Sequence, residues 1–358
     1  MIRGLAKAPE SVTRPSNLSP TCLSLGPRRD TKTGRSFIAR LQHRQLQKID
    51  MGSNARGVVM VQASASHSEK NLLVVGPGVL GSCLGKLWID EYGSGTVVGQ
   101  TKTTSHHDML KSIGITPRTA EEVQPGETFP YVAYCAPPSG SDDYPGDVAK
   151  ALACWDGTGN FIFTSSAGVY NVNDGSACNE SSAVYEMGSN PRTDALLTAE
   201  KACLDAGGNV IRLVGLYHRT RGPHTFFLKQ GEVARWGGYL VNMIHYEDAA
   251  SLCLAALMGQ GSTKDGVYRS EVFVGCDDAP VTFEDMMAAI ESSGVLPGRV
   301  TFTEKDGGNN LGKIMSNTNT REQLQWSPKY NTVCSFFQNG GEDWYSSHEF
   351  NTLGSPHA

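Results

Sequence analysis

Asn71–Gly81, NLLVVGPGVLG, is the stretch whose reading decides the fold. Asn71–Val75 reads as a short buried strand. It runs into the turn Gly76–Pro77–Gly78–Val79–Leu80–Gly81, and Ser82–Trp88 reads as the first turns of a helix. A strand, a G-x-G-x-x-G turn and a helix in that order form the phosphate-binding opening of a dinucleotide fold. Gly76 is expected to make the tight turn, and Gly78 to offer bare backbone to a pyrophosphate. Gly81 lets the helix pack closely on the strand. The pyrophosphate charge then meets the free N–H groups and the positive dipole end of the helix.

The next segment bears on which dinucleotide. Gly95–Gln100 reads as a second strand, whose end meets the adenosine ribose in such a fold. An acid about 20 residues past the turn would bind the ribose 2′-hydroxyl. Here the strand ends Gln100–Thr101–Lys102–Thr103–Thr104, with no acid. A lysine flanked by the hydroxyls of Thr101 and Thr103 suits a 2′-phosphate, so NADP(H) is expected in preference to NAD(H). The bland alternative is a surface lysine, with selectivity set elsewhere.

The chain then alternates. His107–Ile113 reads as helix, Gly114–Thr116 as a third strand and Tyr131–Cys135 as a fourth, which ends in Ala136–Pro137–Pro138. Prolines there stop the strand and hold the loop against a ligand. That sets Cys135, Ala136 and Pro137 beside the cofactor. Asp147–Trp155 reads as helix and Asn160–Thr164 as a buried strand. Strands separated by helices imply right-handed crossovers and a parallel sheet covered on both faces. The expected fold class is therefore α/β, a Rossmann-type doubly wound parallel sheet.

Charge divides the chain. Residues 1–66 hold 11 Lys/Arg against 3 Asp/Glu, a net of +8, and the remainder carries −13 of the total of −5. An acidic body without a basic stripe argues against nucleic acid as a partner. No apolar run approaches the roughly 18 residues that would span a membrane. The basic, Ser/Thr-rich, acid-poor leader 1–66 has the composition of a disordered organelle transit peptide rather than a secretory signal. Val59–Ala63 followed by Ser64–Ala65–Ser66 resembles the region before a chloroplast cleavage point. The chloroplast stroma is the expected address. The mitochondrion is the rival, because Arg35–Lys48 can form a basic amphipathic helix. A disordered basic tail that binds something anionic is the plain alternative.

Nine cysteines stand without a CxxC pair or zinc-type spacing. Cys83, Cys135, Cys154, Cys203 and Cys253 sit in apolar stretches and read as small core residues. His106–His107–Asp108 reads as a solvated helix start, since adjacent helical residues point different ways. No metal site is expected.

At Phe161–Tyr170, FIFTSSAGVY, the chain resembles the extended short-chain dehydrogenase/reductase family of NAD(P)-dependent epimerases and dehydratases. Val210–Tyr217 resembles the family's sixth strand, and Asn242–Ala250, with its Ile-His-x-x-Asp run, a segment before a helix. Val267–Tyr268 through Pro280–Thr282 resembles a later strand and helix cap, and Leu324–Tyr330 the C-terminal element. The similarity covers roughly residues 70–338 in order. It implies a dinucleotide-binding domain over 70–217 and a small substrate lobe over 218–338, interleaved with returning Rossmann elements. A flexible tail is expected over 339–358. It also implies Ser165, Leu213 and Gly215 beside the cofactor, a small-molecule substrate, and a homodimer formed through two helices at one sheet edge. More narrowly, the chain looks like an atypical plastid and bacterial branch.

The family's chemistry uses a tyrosine as acid or base, a lysine four residues on, and a Ser/Thr that holds the reacting oxygen. By resemblance, Ser166, four residues before Tyr170, takes the Ser/Thr place, unless it only caps the turn, which Ser165 could equally do. The family's helix carries a glutamate eight residues after the tyrosine. Matching it to Glu200 puts Arg192 at the tyrosine position and Leu196 at the lysine position. None of the 12 tyrosines has a lysine four residues on. Two readings follow. In one, an enzyme with a rearranged site uses Ser166 to polarise a carbonyl and Arg192 to bind an anionic group or stabilise an oxyanion. Tyr185 serves as the substitute acid. In the other, a catalytically inactive protein of the chloroplast binds NADP(H) in a regulatory or scaffold role. RNA binding is a third class, which the acidic body disfavours.

The remaining features read locally. His218–His224, HRTRGPH, is a cation-dense loop after the sixth strand, and Arg219 and Arg221 are placed to meet a phosphate or carboxylate. His245 reads as a packing histidine. Asp248 reads as the N-cap of an apolar helix, Ala249–Met258. Gly307–Asn310 reads as a turn.

Overall fold

The strand–turn–helix opening forms. In the computed structural model, which describes residues 68–347 apart from 263, 264 and 278, strand β1 is Leu72–Val75 and helix α1 is Val79–Tyr92. The chain continues through β2 (Val97–Thr101), α2 (His107–Ser112), β3 (Thr116–Thr119), β4 (Tyr131–Tyr134), α3 (Tyr144–Leu152) and β5 (Phe161–Ser166). After β6 (Asp174–Cys178) come α4 (Pro191–Asp205), β7 (Asn209–Leu213), β8 (Gly215–Tyr217), α5 (Pro223–Gln230), β9 (Glu232–Trp236), β10 (Leu240–Val241) and β11 (Met243–His245). The last third holds α6 (Tyr246–Leu257), β12 (Val272–Gly275), β13 (Val281–Thr282), α7 (Phe283–Ser293), β14 (Thr301–Glu304), β15 (Gly312–Met315), α8 (Thr318–Leu324), α9 (Val333–Gln338) and α10 (Trp344–Ser347). The transit-peptide reading falls on residues 1–66, outside the described residues.

Seven strands make one parallel sheet in the order β12-β7-β5-β4-β1-β2-β3. The order reverses between β1 and β4, and a ligand crevice opens at such a switch point. Period-two alternation explains why both faces are covered. Leu72 and Val74 of β1 enter one buried cluster with Leu84 and Trp88 of α1 and Ala249, Leu252 and Cys253 of α6. Leu73 enters the other with Val148 of α3 and Leu196, Ala199 and Cys203 of α4. This is the expected Rossmann-type doubly wound sheet.

The chain after Tyr217 forms a second lobe that interleaves with the sheet, because β12 and α6 return to it. The lobe has its own apolar cluster, in which Tyr217, Phe227 and Met243 meet Phe283, Met287, Phe336 and Phe337. The single strand expected over Val210–Tyr217 is broken at Val214. Its amide bonds Gly275 O at 3.1 Å, and β8 leaves to pair with β11 in a separate two-stranded sheet.

Two further readings are corrected. Asp248 is not an N-cap. His245 holds that place, with its Nδ1 accepting from Glu247 N at 3.2 Å. The Asp248 carboxylate instead accepts from the amides of Lys329 (2.6 Å) and Tyr330 (3.0 Å), tying the C-terminal element to α6. The tail expected from 339 onward is folded as far as Ser347. Tyr345 is buried in the main core, and buried Asp343 accepts from Arg219 N and Ser346 N. The polar composition concealed these two anchors. Residues 348–358 lie outside the described residues.

Candidate functional site

A cavity of about 530 Å³ opens at the carboxyl ends of the central strands. Its floor is the glycine turn, with Gly76, Pro77, Gly78, Val79, Leu80 and Gly81 all on the wall. The three glycines differ in what fixes them. Gly76 sits at φ +79°, and a Cβ there would stand 2.6 Å from the backbone of Ala136. A Cβ on Gly81 would lie 2.8 Å from Gly76 O and 2.9 Å from Val74 Cγ1. Gly78 is different: a Cβ there meets nothing within 4 Å. Its bareness is not needed for packing, so the open space above it is the cradle a bound phosphate group would fill. The amides that open the 14-residue α1 have no partners within the helix and face this space.

Thr101, Lys102 and Thr103 line one end of the cavity, with His106 beside them. Thr101 is already committed. Its Oγ1 donates to Arg118 O at 3.1 Å and lies 2.8 Å from His107 Nε2. Thr103 Oγ1 pairs with Ser105 Oγ at 2.9 Å. The exposed Lys102 donates its ammonium to Gly140 O, spanning from the end of β2 to the loop after β4. Cys135, Ala136 and Pro137 form the wall beside Gly76. Tyr144 pins that loop by donating to Ala136 O at 2.9 Å. Burial pushes the Cys135 thiol up to about 12, so it stays a neutral wall residue. Cys135 and Cys154 are only part-buried, unlike Cys83, Cys203 and Cys253, which are core residues as read.

At the other end the cavity brings together Ser165, Ser166, Arg192, Leu196 and Leu213. Ser165 is on the wall, but its hydroxyl is spent, donating to the buried Glu200 at 2.6 Å. Ser166 does cap the following turn, its Oγ accepting from Gly168 N at 3.1 Å. Its proton has no acceptor among the described residues. Arg192 stands at the start of α4. Asn190 caps that helix, accepting from the amides of Arg192 (2.9 Å) and Thr193 (3.4 Å), and Pro191 occupies the first turn. The Arg192 guanidinium is exposed and makes no bond among the described residues.

Two sequence-predicted residues are off the wall. Tyr185 is held away from the cavity, its Oη accepting from Asn173 Nδ2 at 2.7 Å and its amide donating to Val169 O at 2.9 Å. Gly215 lies past the break at Val214 and is pressed on Met243, whose Sδ would lie 2.8 Å from a Cβ there. Of the two arginines in the cation-dense loop, Arg221 reaches the cavity and Arg219 does not. Sequence reasoning missed Tyr246, which lines the cavity from the first turn of α6 and accepts from Arg221 Nε at 3.1 Å. It lies just after the Ile-His pair, but nothing local shows which way it faces.

The electrostatics are one-sided. Lys102, Arg192 and Arg221 line the cavity, and among the described residues no Asp or Glu does. A site of that composition favours anionic ligands along its whole length. Among the described residues no group of three His, Cys, Asp or Glu side chains is arranged to hold a metal ion. No helix among them is long and apolar enough to cross a membrane.

No protein-family model matches the chain, and no curated protein matches it by sequence. Solved structures do match. A functionally unknown conserved protein from Silicibacter pomeroyi DSS is 19% identical, with a TM-score of 0.61 over 76% of this chain and 98% of its own. The UDP-Glc/GlcNAc 4-epimerase of Campylobacter jejuni is 16% identical, with a TM-score of 0.60 over 78% of this chain and 100% of its own. The UDP-glucuronic acid 4-epimerase of Bacillus cereus, in complex with NAD, is 17% identical, with a TM-score of 0.58 over 75% and 96%. At these identities the likeness is one of fold.

Proposed function

We propose that this chain is an NADP(H)-binding protein of the extended short-chain dehydrogenase/reductase type. It acts as an oxidoreductase or epimerase-like enzyme on a small anionic substrate. The observation that carries the reading is the single acid-free cavity, which joins the glycine turn and α1 N-terminus at one end to Ser166 and Arg192 at the other. Gly76–Gly81 would hold the pyrophosphate. Lys102 and Thr103 would hold a ribose 2′-phosphate, and Cys135–Pro137 and Leu213 the nicotinamide half. When bound, such a cofactor supplies reversible hydride transfer. Ser166 orients and polarises a substrate oxygen with its uncommitted proton, and Arg192 binds the anionic group. Arg192 stays protonated and so does not serve as the base. The titration of NADPH and NADH into the mature protein tests the cofactor. NADPH should bind more tightly, and failure of both to bind would overturn the reading.

A second reading has its own support. Leu196 is buried on the wall where the family's lysine would stand, so a protein that binds NADP(H) without turnover fits the same cavity. Nicotinamide absorbance followed over a panel of sugar nucleotides and small carbonyls separates the two. Turnover lost in Ser166→Ala and Arg192→Ala but kept in Tyr185→Phe supports the enzyme. Tight binding with no turnover on any member supports the binding protein. We further propose that the basic leader directs the chain to the chloroplast stroma. A plastid-purified protein whose sequence began at Met1 would overturn that.

A further inference from the structure

We propose that Arg221 and Tyr246 form a clasp for an anionic oxygen on the cavity wall where the start of α6 packs beside α1. The inference rests on the reading of the cavity as a nucleotide and substrate site. Tyr246 is more than nine-tenths buried, yet it lines the cavity together with Arg221. The oxygen accepts from Arg221 Nε at 3.1 Å. The phenol proton has no acceptor among the described residues, so an unpartnered buried donor stands on the wall of an acid-free cavity. A buried donor without a partner costs stability unless a ligand or water takes it. Burial also pushes the phenol up from its ordinary value, against the pull of Arg221, so it keeps the proton at neutral pH. A guanidinium donating to the phenol oxygen polarises the O–H bond and strengthens it as a donor. The pair therefore offers an anion a charge and a hydrogen bond from two different elements, the β8–α5 loop and α6.

The surroundings hold the pair in place. The His218 ring lies 5.4 Å from the Tyr246 ring and 5.1 Å from that of Tyr345. The buried Asp343 carboxylate accepts from Arg219 N at 3.2 Å, fixing the loop two residues before Arg221. Trp344 N donates to Glu247 Oε1 at 2.6 Å, fastening α10 beside the first turn of α6. The folded end of the chain thus braces both members of the clasp.

The anionic oxygen has two sources, the pyrophosphate of the dinucleotide or an anionic group on a second ligand. Tyr246→Phe and Arg221→Gln distinguish them in the full chain, once thermal melting shows that each variant folds. The probes are NADPH on the free protein, inorganic pyrophosphate on the free protein, and inorganic phosphate on the NADP⁺-saturated protein. A fivefold or greater weakening of NADPH in both variants assigns the clasp to the dinucleotide. Unchanged NADPH affinity with loss of phosphate binding to the saturated protein assigns it to the second ligand. If the wild type binds pyrophosphate through Tyr246 but no dinucleotide, the clasp stands and the cofactor reading falls. If the variants match the wild type for all three probes, the clasp is wrong.

Discussion

Arg212 grips Glu200 inside the protein, its Nη2 2.7 Å from Oε2 and its Nε within 3.2 Å of both carboxylate oxygens. The pair links β7 to α4, and Glu200 passes the bond on by accepting from Ser165 on the cavity wall. Both side chains are nearly inaccessible, so neither charge is met by water. Removing one partner strands the other in a low-dielectric site, which typically costs about 3–5 kcal/mol. Arg212→Met should therefore lower stability by about that amount in urea denaturation. Replacing both, as Glu200→Leu with Arg212→Met, should recover much of the loss, because it also removes the desolvation penalty. A single variant as stable as the parent would show that the pair is not carrying the α4–β7 junction.

Gly76 and Gly78 separate folding from binding. At Gly76 a methyl group meets the backbone of Ala136, and φ is positive, so Gly76→Ala pays for both a clash and a strained turn. A loss of about 2–4 kcal/mol is expected, with cofactor binding lost alongside. Gly78→Leu points into open space at an ordinary φ of −73°. Its melting temperature should match the parent while NADPH affinity falls by roughly tenfold or more, about 1.4 kcal/mol. Isothermal titration and thermal melting on the two variants check the contrast. A Gly78→Leu protein that binds NADPH normally would mean the turn does not hold the phosphates.

Lys102 is the test of cofactor choice. Its charge is held at the cavity end by Gly140 O, so it is in place before any ligand arrives. Lys102→Glu should weaken NADPH by about tenfold, because it replaces an attraction for a 2′-phosphate with a repulsion. NADH, lacking that phosphate, should change little. Equal losses for both cofactors would make Lys102 a general phosphate neutraliser rather than a selector.

The glycine turn was legible because backbone geometry demands particular residue types at fixed spacing, and Gly76 and Gly81 occupy positions no other residue fits. The sheet was legible because β1 and β5 are short continuous apolar runs separated by helical stretches, the pattern of parallel strands covered on both faces. The cavity's far end was less so. Tyr185 was the nearest loop tyrosine in sequence, but Asn173 holds its hydroxyl elsewhere. Tyr246 was hidden because its direction depends on how β11 registers against β8, a pairing far apart in sequence. Asp248 was misread for a related reason. Its partners, the amides of Lys329 and Tyr330, are more than 80 residues away, and a local rule for helix starts does not see them.

The loop that carries Arg221 should make stability depend on pH. Burial pushes both His218 and His224 down to about 4. His218 faces Asp343, which opposes that shift, and His245, Arg221 and His224, which add to it. Its Nδ1 accepts from Thr220 N at 3.3 Å, and the His224 ring lies 3.1 Å from Arg219 O through Nε2, with its Nδ1 buried and unbonded among the described residues. Both rings are thus built to be neutral. In the unfolded chain they protonate near 6.5, so between about pH 6.5 and pH 4 the unfolded state binds protons that the folded state refuses. Their contribution is fully present above pH 6.5 and is lost as the pH falls through that window, at up to about 1.4 kcal/mol per pH unit for each histidine. His224→Gln keeps a donor for Arg219 O and removes one titrating ring, so it should cut the slope by about half. Urea midpoints measured across the window read this directly. A parent protein whose midpoint stays flat from neutral pH down to about pH 4.5 would show that the two rings are not held neutral in the fold.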